Sequence, residues 1–382
     1  MKYYFDYLKD NNFSVKYINF NKKLELKEYT IFDPIDKLKL KGSPIILDSP
    51  NFILTRDQYT KYRKKTTKFI FGNFYMWSKK ELNLYPKLKS KDKENRDIYK
   101  DDLIIPKLKI IKSDQEYINP AISYINKHFP HNYGNVNNFI YPISHKGAHK
   151  WLKDFFENKL KYFGPYQDFV KKDEYYMFHS VLSSSINIGL LNPLEIIEEL
   201  KELKPTVPLN SFEGYLRQLF WREYQRYTYL YVNFNKNYFG NRKKLSKKWY
   251  EGTLNIEPID DLIKSGFDTG YIHHIGRLMF IGNFMNLSGI SPKEGYKWFM
   301  EFSIDSYEWV MMQNVLDMVF FSTGGETSRK PYITSSNYIL NMSNYDKNDW
   351  APEWDELYNK FLKKHKKKLW KFRYHFPTLK KI

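Results

Sequence analysis

The sequence predicts an α+β protein: a partial α/β segment with parallel strands at the front, followed by a large all-α domain. Three observations carry that prediction. Helix and strand signals alternate over the first 60 residues. A Lys- and Asp-rich stretch of weak periodicity follows. From about Tyr141 onward, apolar residues recur at spacings of three and four for most of the remaining length.

KYYFDYLKDNN has the apolar spacing of a helix. VKYINF reads as a short strand, and PIILDS, rich in Ile and Leu, as a buried one. Helix-then-strand alternation suggests part of a parallel sheet. A doubly wound sheet usually opens on a strand near its centre, whereas this chain opens on a helix, so either the front domain is small and unusual or its first half is missing. Residues 1–84 are assigned to this partial α/β domain, 85–140 to an interdomain linker and 141–382 to the helical domain. Within the last, AHKWLKDFFENKLKYF, PLEIIEELKEL, SFEGYLRQLFWREYQRYTYLY and SPKEGYKWFMEFSI show helical spacing. Asn192 and Ser291, each followed by proline, are expected N-caps. KFLKKHKKKLWKFRYHF reads as a basic helix or tail, a solvated end more than a binding element.

Composition narrows the function classes. Over 382 residues, 42% are hydrophobic and 19% aromatic, the balance of a folded chain. No run approaches the ~20 apolar residues that cross a bilayer. MKYYFDYLKDNNF lacks the apolar centre of a signal peptide, so a soluble intracellular protein is expected. The net charge of +19 favours polyanions, DNA or RNA above all. Lys, Asn, Tyr and Ile are all abundant, which an AT-rich coding sequence would also produce; the charge permits nucleic acid without proving it. The absence of cysteine excludes disulfides, zinc–thiolate sites and cysteine-ligated iron–sulfur clusters.

Four constellations carry chemically useful residues. His179, Ser180, Ser183, Ser184 and Ser185 crowd short polar groups ahead of a helix containing Asn187, an arrangement that either caps the helix or holds phosphate oxygens. In QLFWREYQRYTYLY, Arg222 and Arg226 are four apart, with Trp221 beside Gln218. That suits the wall of a pocket for a flat, charged ligand, or a core helix with Arg222 paired to Glu223 or Asp168. His273 and His274 precede Arg277. Adjacent histidines cannot share a helix face, which argues against a metal-chelating pair, and leaves either a core histidine or a proton donor in a polar cleft. Finally, Trp298, Tyr307 and Trp309 lie close in sequence to Asp305 and Asn314. Gly324 and Gly325 then lead to Arg329 and Lys330 in a basic loop.

In this order the segments resemble the iron–sulfur bacterial cryptochromes and photolyases, the group containing prokaryotic (6-4) photolyases. The resemblance rests on SPNFILTRD (Ser49–Asp57), FYMW (Phe74–Trp77), YPISHKGA (Tyr141–Ala148) and YQDF (Tyr166–Phe169), then HSVLS, WREY, HHIGRLM, NFMNLSGISP, YEWV, KPY and NYILNMSNY. It covers most of the chain. It implies that the helical domain binds FAD. Ser180, Leu182 and Ser183 match the stretch that cradles the FAD phosphates, and Arg222 the arginine beside the flavin. Asn187, Arg277, Asp305 and Asn314 fall in its pocket. His274, next to His273, matches the proton donor of (6-4) repair, and Trp298 a member of the electron-transfer set, with Tyr307 near the chemistry. Gln218, Trp221, Arg329 and Lys330 would face damaged DNA, whose lesion is flipped into a cleft.

The resemblance implies a deoxyribodipyrimidine photolyase-type lyase, a flavoprotein chromophore acting in DNA repair, with a cryptochrome-like photoreceptor or an inactive remnant as the other readings. This chain departs from the group at specific places. Pro258, Asp346, Asp349 and about Pro352 stand where the cluster cysteines would be, so no iron–sulfur cluster is expected. Met311 replaces an acid near the flavin, and Phe299 and Tyr250 replace a Tyr and a Trp of the electron-transfer set. No antenna chromophore is expected, unless a separate upstream polypeptide completes the front domain. The resemblance otherwise implies a monomer with no membrane partner.

Overall fold

The computed structural model describes residues 1–382 except 20, 21, 23–26, 38, 101, 102, 109, 111–113 and 382. Helix α1 (Lys2–Asp10) opens the chain. Strands β1 (Glu28–Phe32) and β2 (Ser43–Leu47) then pair in parallel, with Glu28 opposite Ser43 and Phe32 opposite Leu47. The strand expected at VKYINF is not formed: residues 15–19 have no regular structure, and residue 20 lies outside the described ones. The strand falls instead on EYTIF, whose β-branched and aromatic side chains suit a pleated surface. PIILDS does supply a strand, but an exposed one, with Ile45 65% and Ile46 50% accessible. A parallel strand is buried by neighbours on both faces. Among the described residues the sheet has two strands, and that cover is missing.

The rest is helical. In order come α2 (Arg56–Lys65), α3 (Phe71–Glu81), α4 (Gln115–His128) and α5 (His145–Asp154), which runs through a π turn at Phe155–Lys159 into α6 (Leu160–Tyr166). Then follow α7 (Ser183–Asn187), α8 (Pro193–Leu203), α9 (Leu209–Tyr231), α10 (Lys248–Glu251) and α11 (Glu257–Thr269). A π segment at Gly276–Gly282 leads into α12 (Asn283–Leu287). The last are α13 (Pro292–Phe302), α14 (Glu308–Met311) with its π continuation Met312–Val319, α15 (Ser336–Asn341), α16 (Trp350–Lys364) and α17 (Lys366–Leu369). Asn192 and Ser291 cap α8 and α13 as expected, accepting from Leu194 N at 2.8 Å and Glu294 N at 3.3 Å. Among the described residues no helix is long and apolar enough to cross a membrane.

Helix α9 is the axle of the molecule. Residues 50–84 pack against it: Tyr59, Tyr62 and Phe74 cluster with Tyr224 and Tyr227. Glu223 on α9 accepts from Leu54 N at 3.0 Å and from Tyr59 Oη at 2.7 Å. Gly164 lets α6 approach α9, since a Cβ there would lie 2.7 Å from Ser211 N. The stretch read as a linker carries α4, held where Asp114 accepts from Ser144 Oγ at 2.6 Å. A second apolar core spans α11 to the C-terminal turns around Trp298, Phe280 and Leu369, all fully buried. Each such side chain contributes about 1.5–3 kcal/mol.

Candidate functional site

Three segments distant in sequence meet beside α9. Helix α7 presents Ser183 and Asn187 one turn apart on one face. The chain between α13 and α14 contributes Asp305, and the helix that begins at His274 contributes Arg277. Arg277 Nη1 lies 2.9 Å from Asp305 Oδ1, and Ser183 Oγ donates to Asp305 Oδ2 at 2.6 Å. Asn187 Nδ2 donates to the Asp305 carbonyl at 3.1 Å, while its Oδ1 accepts from Arg222 Nε at 3.3 Å. Ser303 Oγ also donates to Asp305. Burial opposes the Asp305 charge, but Arg277 and the two serines outweigh it and hold the carboxyl below its usual range.

Arg222 is fixed from several sides. Its guanidinium sits 4.4 Å from the Phe52 ring centre and 4.9 Å from that of Trp309, Nη1 donates to the Asn51 carbonyl, and Glu223 is 3.9 Å away. Burial lowers Arg222 to about 10 against the pull of Glu223. Of the two ion-pair partners considered for it, Glu223 is present, whereas Asp168 pairs with Arg96. Nη2 of Arg222 is buried without a partner. Arg226 does not join this wall: it pairs with Asp33 at 2.7 Å and tethers the front segment.

The network keeps some accessible surface. His274, close enough to Arg277 to feel its charge, is exposed. His179, Ser180, Ser183, Asn187, Arg222, Arg277 and Asn314 are all half-open. Only His274 of the adjacent pair starts the helix; His273 precedes it, buried, its ring stacked on His179 with centres 4.6 Å apart. Burial holds all three imidazoles neutral: His274 falls to about 4, helped by Arg277, and His179 to about 3, helped by Lys159 and His274. His273 falls well below the ordinary value, with His179 adding to the effect.

The serine run does not cap α7. Its N-cap is Leu182, which is buried, and Ser183 spends its hydroxyl on Asp305. Ser180 lies beside Tyr215, and the buried Oγ atoms of Ser184 and Ser185 lack partners. Asn314 is on the π continuation of α14, its Oδ1 buried and unpartnered. Trp298 and Tyr307 stand apart from the network. Trp298 is in the apolar core, donating to the Trp249 carbonyl at 2.8 Å, and Tyr307 packs with Phe52 and Trp309. Near the rim, Gln218 reaches Gln167 at 3.4 Å and Trp221 packs edge-on against Phe71 at 4.5 Å. Arg217, next to Gln218, and Arg329 both act on Tyr332, and Arg96 acts on Lys330, so these cations share one region. Asn51 and Phe52 were not among the expected ligands. Gly189 gave a signal for Asn51 only in three dimensions: at φ +78, a Cβ added there would lie 3.0 Å from Asn51 Oδ1. Pro258 is buried in α11, and among the described residues no group of three or more His, Asp or Glu is placed to hold a metal ion.

The protein is thus mostly helical, with a small parallel sheet and a charged network beside α9. Residues 1–141 match the family of deoxyribodipyrimidine photo-lyase-related proteins. The chain is 35% identical over 260 residues to the (6-4) photolyase of Agrobacterium fabrum, across 66% of this chain and 51% of that protein. It thus spans about half the length of that relative. It is 58% identical over 85 residues to an uncharacterized protein of Acanthamoeba polyphaga mimivirus, across 22% of this chain and 69% of the viral one. A bacterial class III photolyase from Agrobacterium tumefaciens superposes with a TM-score of 0.44 at 20% identity, covering 58% of this chain and 45% of the other. The chain is thus related to the photolyases, by the family match over its first 141 residues and by this 35% identity.

Proposed function

We propose that this protein is an FAD-dependent, light-driven DNA-repair photolyase acting on (6-4) photoproducts. The observation that carries the reading is the single network Arg222–Asn187–Asp305–Arg277–Ser183, and we read the accessible surface that its residues and His274 keep as one cavity. The residues fit a flavin dinucleotide on chemical grounds. Buried polar groups normally find partners, and here Arg222 Nη2 and Asn314 Oδ1 have none. Arg222, Arg277, Asn187, Asn314, Ser180 and Ser183 would hold the group, with Asp305 keeping Arg277 in place. When bound, FAD supplies the light-driven electron transfer.

This chain's own residues orient, exclude water and handle the proton. Phe52 and Trp309 fix the Arg222 guanidinium plane, so little ordering remains when a ligand arrives. His274 faces the cavity as a neutral imidazole, able to donate one N–H and accept at the other nitrogen. Gln218, Trp221, Arg329 and Lys330 would meet the damaged strand at the rim. Repair of a (6-4)-containing oligonucleotide under blue light, and not in the dark, is the expected result; a protein that purifies with flavin yet repairs nothing would sink it. That second outcome selects a cryptochrome-like sensor, a reading favoured by Met311 and Phe299, which leave only apolar side chains in the core at those two positions.

A further inference from the structure

The C-terminal segment is not a loose, solvated end. From residue 357 the sequence has ten Lys and Arg and no Asp or Glu. Its apolar side chains are used up in the core: Leu369 and Leu379 are fully buried and Phe376 is 3% exposed. Two lysines pin the backbone, Lys368 donating to the Tyr238 carbonyl and Lys371 to the Gly324 carbonyl at 3.3 Å. The second contact sets the segment against the Gly324–Lys330 loop, and Lys330 acts on His375.

The outer face combines free cations with open rings. Lys366, Lys367 and Lys380 are exposed. Trp370 is 46% and Tyr374 75% accessible, unusual for large aromatic side chains with an apolar core nearby. Arg373 lies over both rings, 5.5 Å from Trp370 and 4.7 Å from Tyr374, and Lys380 lies 5.6 Å from Tyr374. Exposed flat rings flanked by cations suit unpaired bases and the phosphates that join them. A membrane surface is a poorer match, because Leu369, Phe376 and Leu379 are buried and not free to insert.

We infer that the face formed by Lys366, Lys367, Trp370, Arg373 and Tyr374 is a second nucleic-acid surface, taking single-stranded DNA or RNA without sequence preference. It is separate from the cavity and needs neither flavin nor a lesion. The test is fluorescence anisotropy of the full chain with an undamaged, labelled single-stranded oligonucleotide between 50 and 200 mM salt. The triple variant K366A/K367A/R373A is expected to lower the slope of log affinity against log salt by about 2, at roughly 0.7 per lost phosphate contact. W370A and Y374A should each weaken binding roughly tenfold, as the loss of one stacked base does. The double variant K366R/K367R, which keeps the charge, should retain the wild-type slope, and thermal melting of every variant checks its fold. An unchanged slope and affinity in the triple variant would overturn the inference. So would loss of binding to anionic phosphatidylserine vesicles while oligonucleotide binding stays intact.

Discussion

Arg277 and Asp305 form a buried ion pair, 2.9 Å apart, across 28 residues of sequence. The carboxylate also gathers hydroxyls from Ser183 and Ser303, so one side chain joins α7, the helix that begins at His274 and the turn before α14. Breaking such a pair from one side leaves an uncompensated charge in a poorly solvated place. Asp305→Ala is therefore expected to cost about 3–5 kcal/mol. Asp305→Asn keeps the shape and some hydrogen bonding and should cost less. Urea denaturation of the two variants measures the difference; equal, small losses would mean that water reaches the pair and offsets the lost charge.

Acid should loosen the same region. In an unfolded chain the three imidazoles His179, His273 and His274 take up protons near pH 6.5. In the folded protein His274 resists to about 4 and His179 to about 3, and His273 is lowered as well. Between those values the unfolded state binds more protons, so stability rises with pH and falls on acidification from about 6.5 toward 4. Each group contributes a slope of up to about 1.4 kcal/mol per pH unit. The urea midpoint should drop steadily from pH 7 to pH 5. His179→Gln should flatten the profile, and a wild-type profile already flat over that window would refute the burial argument.

What could be read from the sequence was mostly local. Asn192 and Ser291 cap their helices because a cap needs only its own next few residues, and the long apolar spacing of α9 survives as one helix. The network at Asp305 was also legible, though through family resemblance more than through spacing. What failed depended on distant partners. PIILDS looks like a buried strand, yet burial requires neighbours that no local pattern specifies, and Ile45 ends up exposed. Arg226 shares a helix face with Arg222, but Asp33, almost 200 residues earlier, claims it. Nothing in the string Asn51–Phe52 announces that it will clamp Arg222.

His274 separates function from stability. It is exposed, and among the described residues no protein hydrogen bond to its ring is found. His274→Ala is expected to change the urea midpoint by less than about 0.5 kcal/mol in stability, while repair falls by about 10²–10⁴, the usual yield of a positioned proton donor. Because burial and Arg277 keep the ring neutral above about 4, the repair rate should be level from pH 6 to 8. A rate that climbs tenfold per unit of acidification would require the imidazolium and contradict this. His273→Ala, by contrast, removes a ring stacked on His179 and should destabilise the fold.

Two glycines test how the helices set the cavity's width. A methyl at Gly164 would meet Ser211 N at 2.7 Å and Asn210 C at 2.8 Å, both backbone atoms that cannot swing aside. Gly164→Ala must therefore push α6 away from α9, at a cost of about 1–3 kcal/mol. Ser211 Oγ bridges the same crossing, accepting from Gly164 N at 2.9 Å and donating to the Lys161 carbonyl at 3.0 Å, so the shift also loosens those bonds. Because α9 carries Arg222, weaker flavin retention should accompany the lost stability. Gly72, inside α3, has only Arg329 Nη2 at 3.6 Å before it. Alanine there gains helix propensity without a clash, and Gly72→Ala should stabilise by about 0.5–1 kcal/mol. Thermal melting of the two variants should thus move in opposite directions. If both rise, α6 and α9 are not in backbone contact, and the cavity's width is set elsewhere.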